Sequence, residues 1–495
     1  MITLARWLWS KVTGFFGLLL PMIGETARGS RPWIAWGLHV IVLVAVLVAL
    51  GWANDRFDLV RYVEAPTEWL ARLWLPLLAL ILYANAWAAF WLWRLLRPVA
   101  HPSLFPDLDG AWDTAVGAAE RAGVHFTRMP VFLIIGRPHG GDAALFEAAH
   151  AKVTEFAAPG DPPVRLFALK DAIFVATGET SLLGGLAAWA TATANLGDAP
   201  SDESAPDPNS DQFPTLATLV DAPPDADVAP TPTVPLAKDP ARIALLTARF
   251  RHLCQLIRGT RRPFCPVNGI LVLVPEACTR SPALANQAGF FGAEDLRSAA
   301  EVLQVRCPVV GVVCDAEQIP GFDEFLTRVP MARRKQRLGR KLPYVARLPV
   351  ADRARLIVEL VRWQTTTLIP RLVYRVMPPV TDPAANARLF QLAVAVHART
   401  DAIVRLFTRV LAPEQNEAVL PGGCFFAATG PGTERQGFLT DVLAQLQDGQ
   451  NFVAWTAAGR AEEAATTRRT ALGYVLIVIM IATVLCFAVL GWPHK

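Results

Sequence analysis

The sequence predicts an α/β protein: a doubly wound, mostly parallel sheet with an added helical part, attached to three transmembrane helices. Three observations predict it. Short continuous apolar runs (VFLII at 131–135, GILVLV at 269–274, PVVGVVC at 308–314) are what strands buried on both faces of a parallel sheet require. Stretches of helical period separate them, so strand–helix–strand units with right-handed crossovers follow. Three apolar segments outside that pattern are long enough to cross a hydrocarbon core of ~30 Å.

Composition agrees with a membrane component. The 495 residues are 53% hydrophobic and 18% charged, against about 25% charged in an ordinary soluble domain. The net charge of +4 is too small to point to nucleic acid, which is not expected as a partner. The seven cysteines, Cys254, Cys265, Cys278, Cys307, Cys314, Cys424 and Cys486, form no C-x-x-C pair and no set with histidine. They read as reduced, buried thiols, and no metal or other cofactor is expected.

Taken in order, residues 1–31 open with Arg6 and Lys11 before the apolar run Val12–Leu20. Pro21 interrupts that run and no small-x-small cleavage site follows. The reading is therefore an amphipathic segment lying in the interface, with Trp7, Trp9, Phe15 and Phe16 as anchors, rather than a cleaved signal. Transmembrane helices are expected at 34–52, 73–93 and 471–492, with tryptophans near their ends. Arg6, Lys11, Arg28 and Arg31 precede the first span. Arg94 and Arg97 follow the second, and Arg468 and Arg469 precede the third. The excess of Lys and Arg places the N-terminus and the main domain in the cytoplasm and the C-terminus outward. His39 and Asn85 are the notable polar groups inside the spans. With no acidic partner near, they read as interhelical packing rather than a proton path.

Residues 100–450 form the expected cytoplasmic domain. Asp107–Ala122 has helical period, with Trp112, Val116 and Ala119 on one face. The strand Val131–Ile135 runs through Gly136-Arg-Pro-His-Gly-Gly141 into a helix from Asp142. Val164–Leu169 and Ala172–Ala176 read as a hairpin around Lys170-Asp171. Residues 194–240 carry nine acidic residues against one basic, Lys238, and many prolines. Such a segment buries too little apolar surface to offset chain entropy and reads as a disordered insertion. Beyond it come a helix at 240–258, the strand at 269–274, a helix at 293–303 and the strand at 308–314. The helical part spans 350–415, with helices near 351–367 and 384–411. A strand at 423–428, a helix at 436–447 and a polar helix at 455–470 lead to the third span.

Two constellations stand out. Arg333, Arg334, Lys335, Arg337, Arg340 and Lys341 make a basic cluster, a candidate for contact with anionic lipid or a partner protein. The second is the turn after Ile135. A phosphate-binding loop needs G-x-x-x-x-G-K-[ST] between strand and helix: amides cradle the phosphates, the lysine neutralises them and the hydroxyl holds Mg²⁺. Gly136 and Gly141 keep that spacing and Gly140 lies inside it, but Asp142 stands at the lysine position and Ala143 at the hydroxyl position. At 4 Å and an effective dielectric of 20, replacing the cation by an anion turns about 4 kcal/mol of attraction into repulsion. Residual amide and helix-dipole attraction, on the order of 1–2 kcal/mol, does not offset that. No G-x-S-x-G is present, and the acidic residues Asp107, Asp109, Asp113 and Glu120 read as a capped, solvated helix, so no catalysis is expected.

These residues carry a resemblance. Two spans, a cytoplasmic α/β domain and a third span occur in the order found in the IcmF/TssM family, inner-membrane proteins of type VI secretion systems. Arg262–Val274 (RPFCPVNGILVLV) resembles a strand of that family, Gly321-Phe322 is similar to the end of its guanine-specificity strand, and Gly423–Gly430 (GCFFAATG) is similar to its element near the third span. The resemblance implies a P-loop-GTPase-like fold. It also implies departures. No Walker B aspartate follows Ala172–Val175, where the chain reads Ala176-Thr177-Gly178. Cys314-Asp315-Ala316-Glu317 stands where the family has a motif like T-K-x-D, so Asp315 and Glu317 occupy the guanine-contact positions. The sequence ends shortly after the third span, so the family's periplasmic region is expected to be missing.

The resulting expectation is an inner-membrane scaffold with a nucleotide-free pseudo-GTPase domain. Its implied partners are the lipid bilayer, other secretion-like subunits and further copies of itself. Two alternatives stand beside it. One is a nucleotide-dependent switch in which Arg137 or Lys170 supplies the missing cation. The other is a membrane-tethered adaptor unconnected with secretion.

Overall fold

The chain divides into two units, Met1–Pro102 with Ala461–Lys495, and Ser103–Arg460. The computed structural model describes residues 32–57, 67–96, 103–160, 162–195, 235–345, 348–377, 383–413 and 418–490. The expected interfacial segment 1–31 and residues 196–234 of the acidic insertion lie outside these described residues.

The strands of the second unit are β1 Val131–Ile135, β2 Thr154–Ala157, β3 Arg165–Ala168, β4 Ile173–Ala176, β5 Gly269–Pro275, β6 Val305–Cys314, β7 Leu338–Lys341, β8 Val419–Phe426, β9 Ala428–Thr429, β10 Gln436–Gly437 and β11 Ala454–Trp455. The main sheet runs β2-β3-β4-β1-β5-β6-β8-β7, with β11 paired to the start of β6 and a separate β9–β10 pair. The central strands β4, β1, β5, β6 and β8 are mutually parallel. The outer strands β2, β3, β7 and β11 are antiparallel to their neighbours. The fold is thus mixed α/β around a mostly parallel sheet. Every residue of β1, β4 and β5 is buried, which is why these segments read as unbroken apolar runs rather than alternating ones.

Alternation decides which layer each side chain enters. Val131, Leu133 and Ile135 of β1 share a core with Leu183, Phe250, Leu296 and Phe407, carried by the helices Leu182–Asn195, Pro240–Arg261, Pro282–Leu303 and Thr400–Leu411. Phe132 and Ile134 face the opposite layer, where the helices Asp142–Ala148 and Thr440–Asp448 supply Phe146, Val442 and Leu446. Phe146 packs its ring at 4.6 Å from Phe167 and 5.5 Å from Phe174. Burying such a ring stabilises by about 2–3 kcal/mol. With both faces covered, strand ends rather than faces remain for a site.

Local signals set the helix starts. Asp239 accepts the amide of Arg242 at 3.0 Å with Pro240 in the first turn, and Ser281 accepts that of Leu284 at 3.2 Å with Pro282 following. The helix expected at 293–303 begins eleven positions earlier, at Pro282. Its early half holds Gly289 and Gly292, which weaken a helical reading. In the fold a Cβ at Gly289 would lie 3.3 Å from Leu406 and one at Gly292 3.0 Å from Val410, so the glycines permit close helix crossing. The expected long helix at 384–411 is two helices, Pro383–Ala398 and Thr400–Leu411. The helix from Val350 continues past 367 to Val376 through a π-helical segment, Gln364–Leu368. β2 and β7 escaped the sequence reading because Thr-Glu-Phe-Ala and Leu-Gly-Arg-Lys have no continuous apolar run.

In the first unit, three helices are long and apolar enough to cross a membrane, over His39–Arg56, Arg72–Phe90 and Ala457–Thr483. Val44, Val48, Leu82, Val478 and Ile481 are more than half exposed, an apolar surface of the kind that marks membrane or partner contact. Polar side chains instead meet inside the unit. His39 Nε2 lies 2.5 Å from the Tyr83 hydroxyl, Asn85 donates to Thr483 at 3.5 Å, and Asn54 donates to the Arg72 carbonyl at 2.7 Å.

Candidate functional site

The glycine turn leaves β1 at the carboxyl edge of the sheet, beside the segments that follow β4, β5, β6 and β8. In parallel α/β sheets, ligands bind at this edge. Gly136 has φ +84°, and a Cβ there would lie 2.1 Å from the Leu273 carbonyl oxygen of β5. The glycine is therefore demanded by strand packing, with or without a phosphate. Gly140 lies against Ala144, 2.9 Å from a would-be Cβ. Gly141 has φ +80° with open space around it, and its amide closes the turn onto the Pro138 carbonyl at 3.0 Å.

Asp142 starts the helix Asp142–Ala148. It is half-buried, and its Oδ1 has no hydrogen-bond partner among the described residues. Burial pushes its carboxyl up to about 6, against the opposing pull of Arg137 and Arg165. Ala143 packs against the apolar layer of Phe146 and Leu439. The lysine and hydroxyl of a phosphate loop are thus replaced at these two places by a partly desolvated acid and a packing methyl. Of the two candidate surrogate cations, Arg137 forms an ion pair with Glu179. Lys170 sits in the exposed β3–β4 turn, at the end where Ile173 pairs with Val131. The glycine turn follows Ile135 at the other end, so Lys170 cannot reach it. Where a Walker B aspartate was sought, Thr177 donates its hydroxyl to the Ile134 carbonyl at 2.7 Å.

The decisive contact comes from the segment after β6. Asp315 is buried in a left-handed conformation, φ +58°. Its two carboxylate oxygens accept the backbone amide of His139, in the middle of the glycine turn, at 3.1 and 3.0 Å. Oδ1 also accepts the Thr429 hydroxyl at 2.7 Å, while the Asp315 amide donates to that hydroxyl oxygen at 3.0 Å. Glu317 accepts the Thr429 amide at 2.9 Å. Thr429 thus ties both acids to the β9 segment, and Asp315 ties all of it to the turn. Burial raises both carboxyls. That of Glu317 reaches about 7, with the nearby Asp315 charge as the second cause. Asp315 is raised less freely, because Thr429 and the His139 amide favour its ionised form.

The structure therefore brings Gly136, Gly140, Gly141, Asp142, Ala143, Asp315 and Glu317 to one edge. It gives that edge an acidic lining, with an amide of the turn satisfied by the chain's own carboxylate. Sequence reasoning assigned Asp315 only by position in a damaged motif; its bond to the turn went unseen, as did the part of Thr429. A carboxylate one residue beyond a buried parallel strand was the available signal. Two other buried acids serve the framework. Asp295 accepts the Leu182 and Leu183 amides at 3.0 and 2.9 Å, capping the helix that follows β4, with its carboxyl pushed up to about 7 by burial. Glu276 is fully buried between Arg280 and Arg399, at 2.8 and 2.7 Å. Among the described residues, no group of three or more His, Cys, Asp and Glu is placed to hold a metal ion.

The basic cluster divides. Arg334 is buried, its guanidinium donating to the carbonyls of Val329 at 3.0 Å and Glu434 at 3.3 Å. It is a structural residue, which corrects its assignment to the contact surface: five polar donors are costly to bury unless they bond backbone acceptors. Arg333, Lys335, Arg340 and Lys341 are exposed and Arg337 is half-buried.

Residues 247–465 match a family model described as the IcmF-related N-terminal domain. The matched stretch holds β5 to β11, with Asp315, Glu317 and Thr429, and does not include the glycine turn. No curated protein and no solved structure matches the chain.

Proposed function

We propose, from the premise that residues 247–465 are an IcmF-related N-terminal domain and that the chain is IcmF/TssM-like, that this protein is an inner-membrane scaffold of a type VI-like secretion assembly. In this reading the three apolar helices cross the bilayer, with the N-terminus and the α/β unit in the cytoplasm and the C-terminus outward. The exposed apolar surface of those helices supports the membrane assignment, and the Lys and Arg bias supports the orientation. The α/β unit is read as GTPase-like. The parallel order β4-β1-β5-β6-β8 supports that reading, as does a glycine turn after β1 where the chain switches from one side of the sheet to the other.

The same unit is read as working without nucleotide, holding partner proteins and further copies of itself at the membrane. One observation carries this: the Asp315 carboxylate occupies the His139 amide that a phosphate would need. An incoming phosphate would have to displace a buried charge-assisted bond and then face both Asp315 and Asp142. At about 4 Å each unit repulsion is worth about 4 kcal/mol at a dielectric of 20. Binding of GTP and ATP with Mg²⁺ to the detergent-solubilised chain tests the proposal. No binding at millimolar nucleotide is expected; tight Mg²⁺-dependent binding would overturn it in favour of a switch.

A further inference from the structure

The far edge of the sheet, away from the glycine turn, carries a charge excess that the fold itself does not use. β7 is the last strand in the sheet order and pairs with β8 alone. Among the described residues, 329–345, 348–351 and 360–377, which hold β7 and the helix beside it, contain no Asp or Glu, while Asp441, whose amide donates to the Lys335 carbonyl at 3.1 Å, and Asp448, near Tyr344, come closer from the helix Thr440–Asp448. Several surface arginines elsewhere in the unit have carboxylate partners, Arg249 with Asp107, Arg280 with Glu276, Arg297 with Glu294, Arg328 and Arg388 with Glu324, and Arg435 with Asp323, whereas the exposed Arg121, Arg128 and Arg405 have none among the described residues. Arg337, Arg340 and Lys341, with Arg362 next to Trp363, pair with no carboxylate among the described residues.

The edge also has a built flank. The helix Val350–Trp363 and its π-helical continuation lie alongside β7, because Gly339 lets Gln364 approach: a Cβ at Gly339 would lie 2.8 Å from Gln364 Nε2. Gln364 is buried there, donating to the Cys424 carbonyl of β8 at 2.6 Å. This seats Trp363 at the surface, 38% exposed, with the Arg340 guanidinium 5.9 Å from its ring centroid. π-helical segments are uncommon and concentrate where a helix is shaped for a purpose. Here the segment turns Thr366, Thr367 and, further on, Arg371 outward.

We propose that this edge is a docking surface for an extended acidic segment of a partner protein, which adds as a strand beside β7. The free edge offers backbone groups to the peptide, and the unpaired cations select acidic side chains. A bilayer surface would engage the cations but not the strand edge. Charged residues that merely protect an edge from pairing would bind nothing, and the titration below separates that case. The proposal rests on the scaffold reading, but its test is separate: nucleotide binding decides that reading, and peptide binding decides this one.

The probe is a fluorescein-labelled ten-residue peptide of alternating Glu and Val, titrated by anisotropy against the full chain in uncharged detergent at low salt. Saturable binding is expected, falling at least about tenfold in Arg340→Glu/Lys341→Glu and with added salt. The same peptide N-methylated at alternate residues should lose binding, and amide exchange at residues 338–341 should slow only with the unmodified peptide. If the double variant misfolds, Arg362→Glu, on an exposed helical position next to Trp363, serves instead with a smaller loss. Absence of binding by the native chain would overturn the proposal. So would equal binding of the N-methylated peptide, or unchanged exchange at β7 while micelles of a short-chain phosphatidylglycerol compete fully.

Discussion

The carboxylate of Asp315 and the backbone amide of His139 are joined by hydrogen bonds of 3.0 and 3.1 Å, so the glycine turn after the first strand already holds an anion supplied by the chain. Asp315→Ala should leave the His139 amide and the Thr429 hydroxyl unsatisfied in a buried site. The expected loss of stability is about 1–3 kcal/mol, measured by thermal or denaturant unfolding of the full chain in detergent. Asp142→Lys with Ala143→Thr, leaving Asp315 in place, should not create nucleotide binding at millimolar GTP. Binding by that double variant would mean that the acidic lining, rather than occupation of the amide, was the obstacle.

The two glycines that imitate a phosphate-loop spacing should differ in cost. Gly136→Ala puts a Cβ 2.1 Å from a backbone oxygen at φ +84°, and a loss of about 3 kcal/mol or more is expected. Gly141→Ala meets open space at φ +80°, so only the left-handed strain of about 1–2 kcal/mol remains. Comparing the Tm of the two variants checks the assignment of Gly136 to strand packing; equal losses would contradict it.

Two buried carboxyls, Glu317 and Asp295, and the half-buried one of Asp142 give stability a pH dependence of definite sign. Asp142 is raised to about 6, and Glu317 and Asp295 to about 7, whereas in an unfolded chain such groups titrate near 4. The folded state therefore binds these protons more tightly. Their contribution is full below the unfolded value and is lost as pH rises through the folded ones, from about 4 to about 7. Unfolding measured between pH 5 and pH 8 should show stability falling with pH from these groups. Glu317→Gln should reduce that slope, by up to about 3 kcal/mol across the window. A variant with the native slope would place the effect elsewhere.

The acidic segment should be separable from the fold only within narrower limits than its composition indicates. Leu236 is buried, and Asp239 caps the helix that starts at Pro240. Replacing residues 198–233 by a short flexible linker should change stability by less than about 1 kcal/mol, since closure entropy varies slowly with length. Removing 194–240 whole should cost about 2–4 kcal/mol, from one buried leucine and one cap. Expression and Tm of the two deletions would separate the cases.

The sequence by itself determined the parts governed by local or periodic chemistry. The buried parallel strands stand as apolar runs in β1, β5 and β6, because both of their faces meet helices. The hairpin of β3 and β4 is legible from its turn, and the apolar helices from their length. Asp142 and Ala143 are readable as losses because a phosphate loop needs a cation and a hydroxyl at fixed offsets. What only the tertiary structure decided was who meets whom across the carboxyl edge. Asp315 and His139 stand 176 positions apart, and no periodicity encodes a contact made by two loops after different strands. The same holds for Arg334, which reads as one of a row of surface cations until burial against backbone carbonyls removes it. It holds also for β7, too short and too polar to announce a strand, which exists because β8 beside it had an edge left to pair.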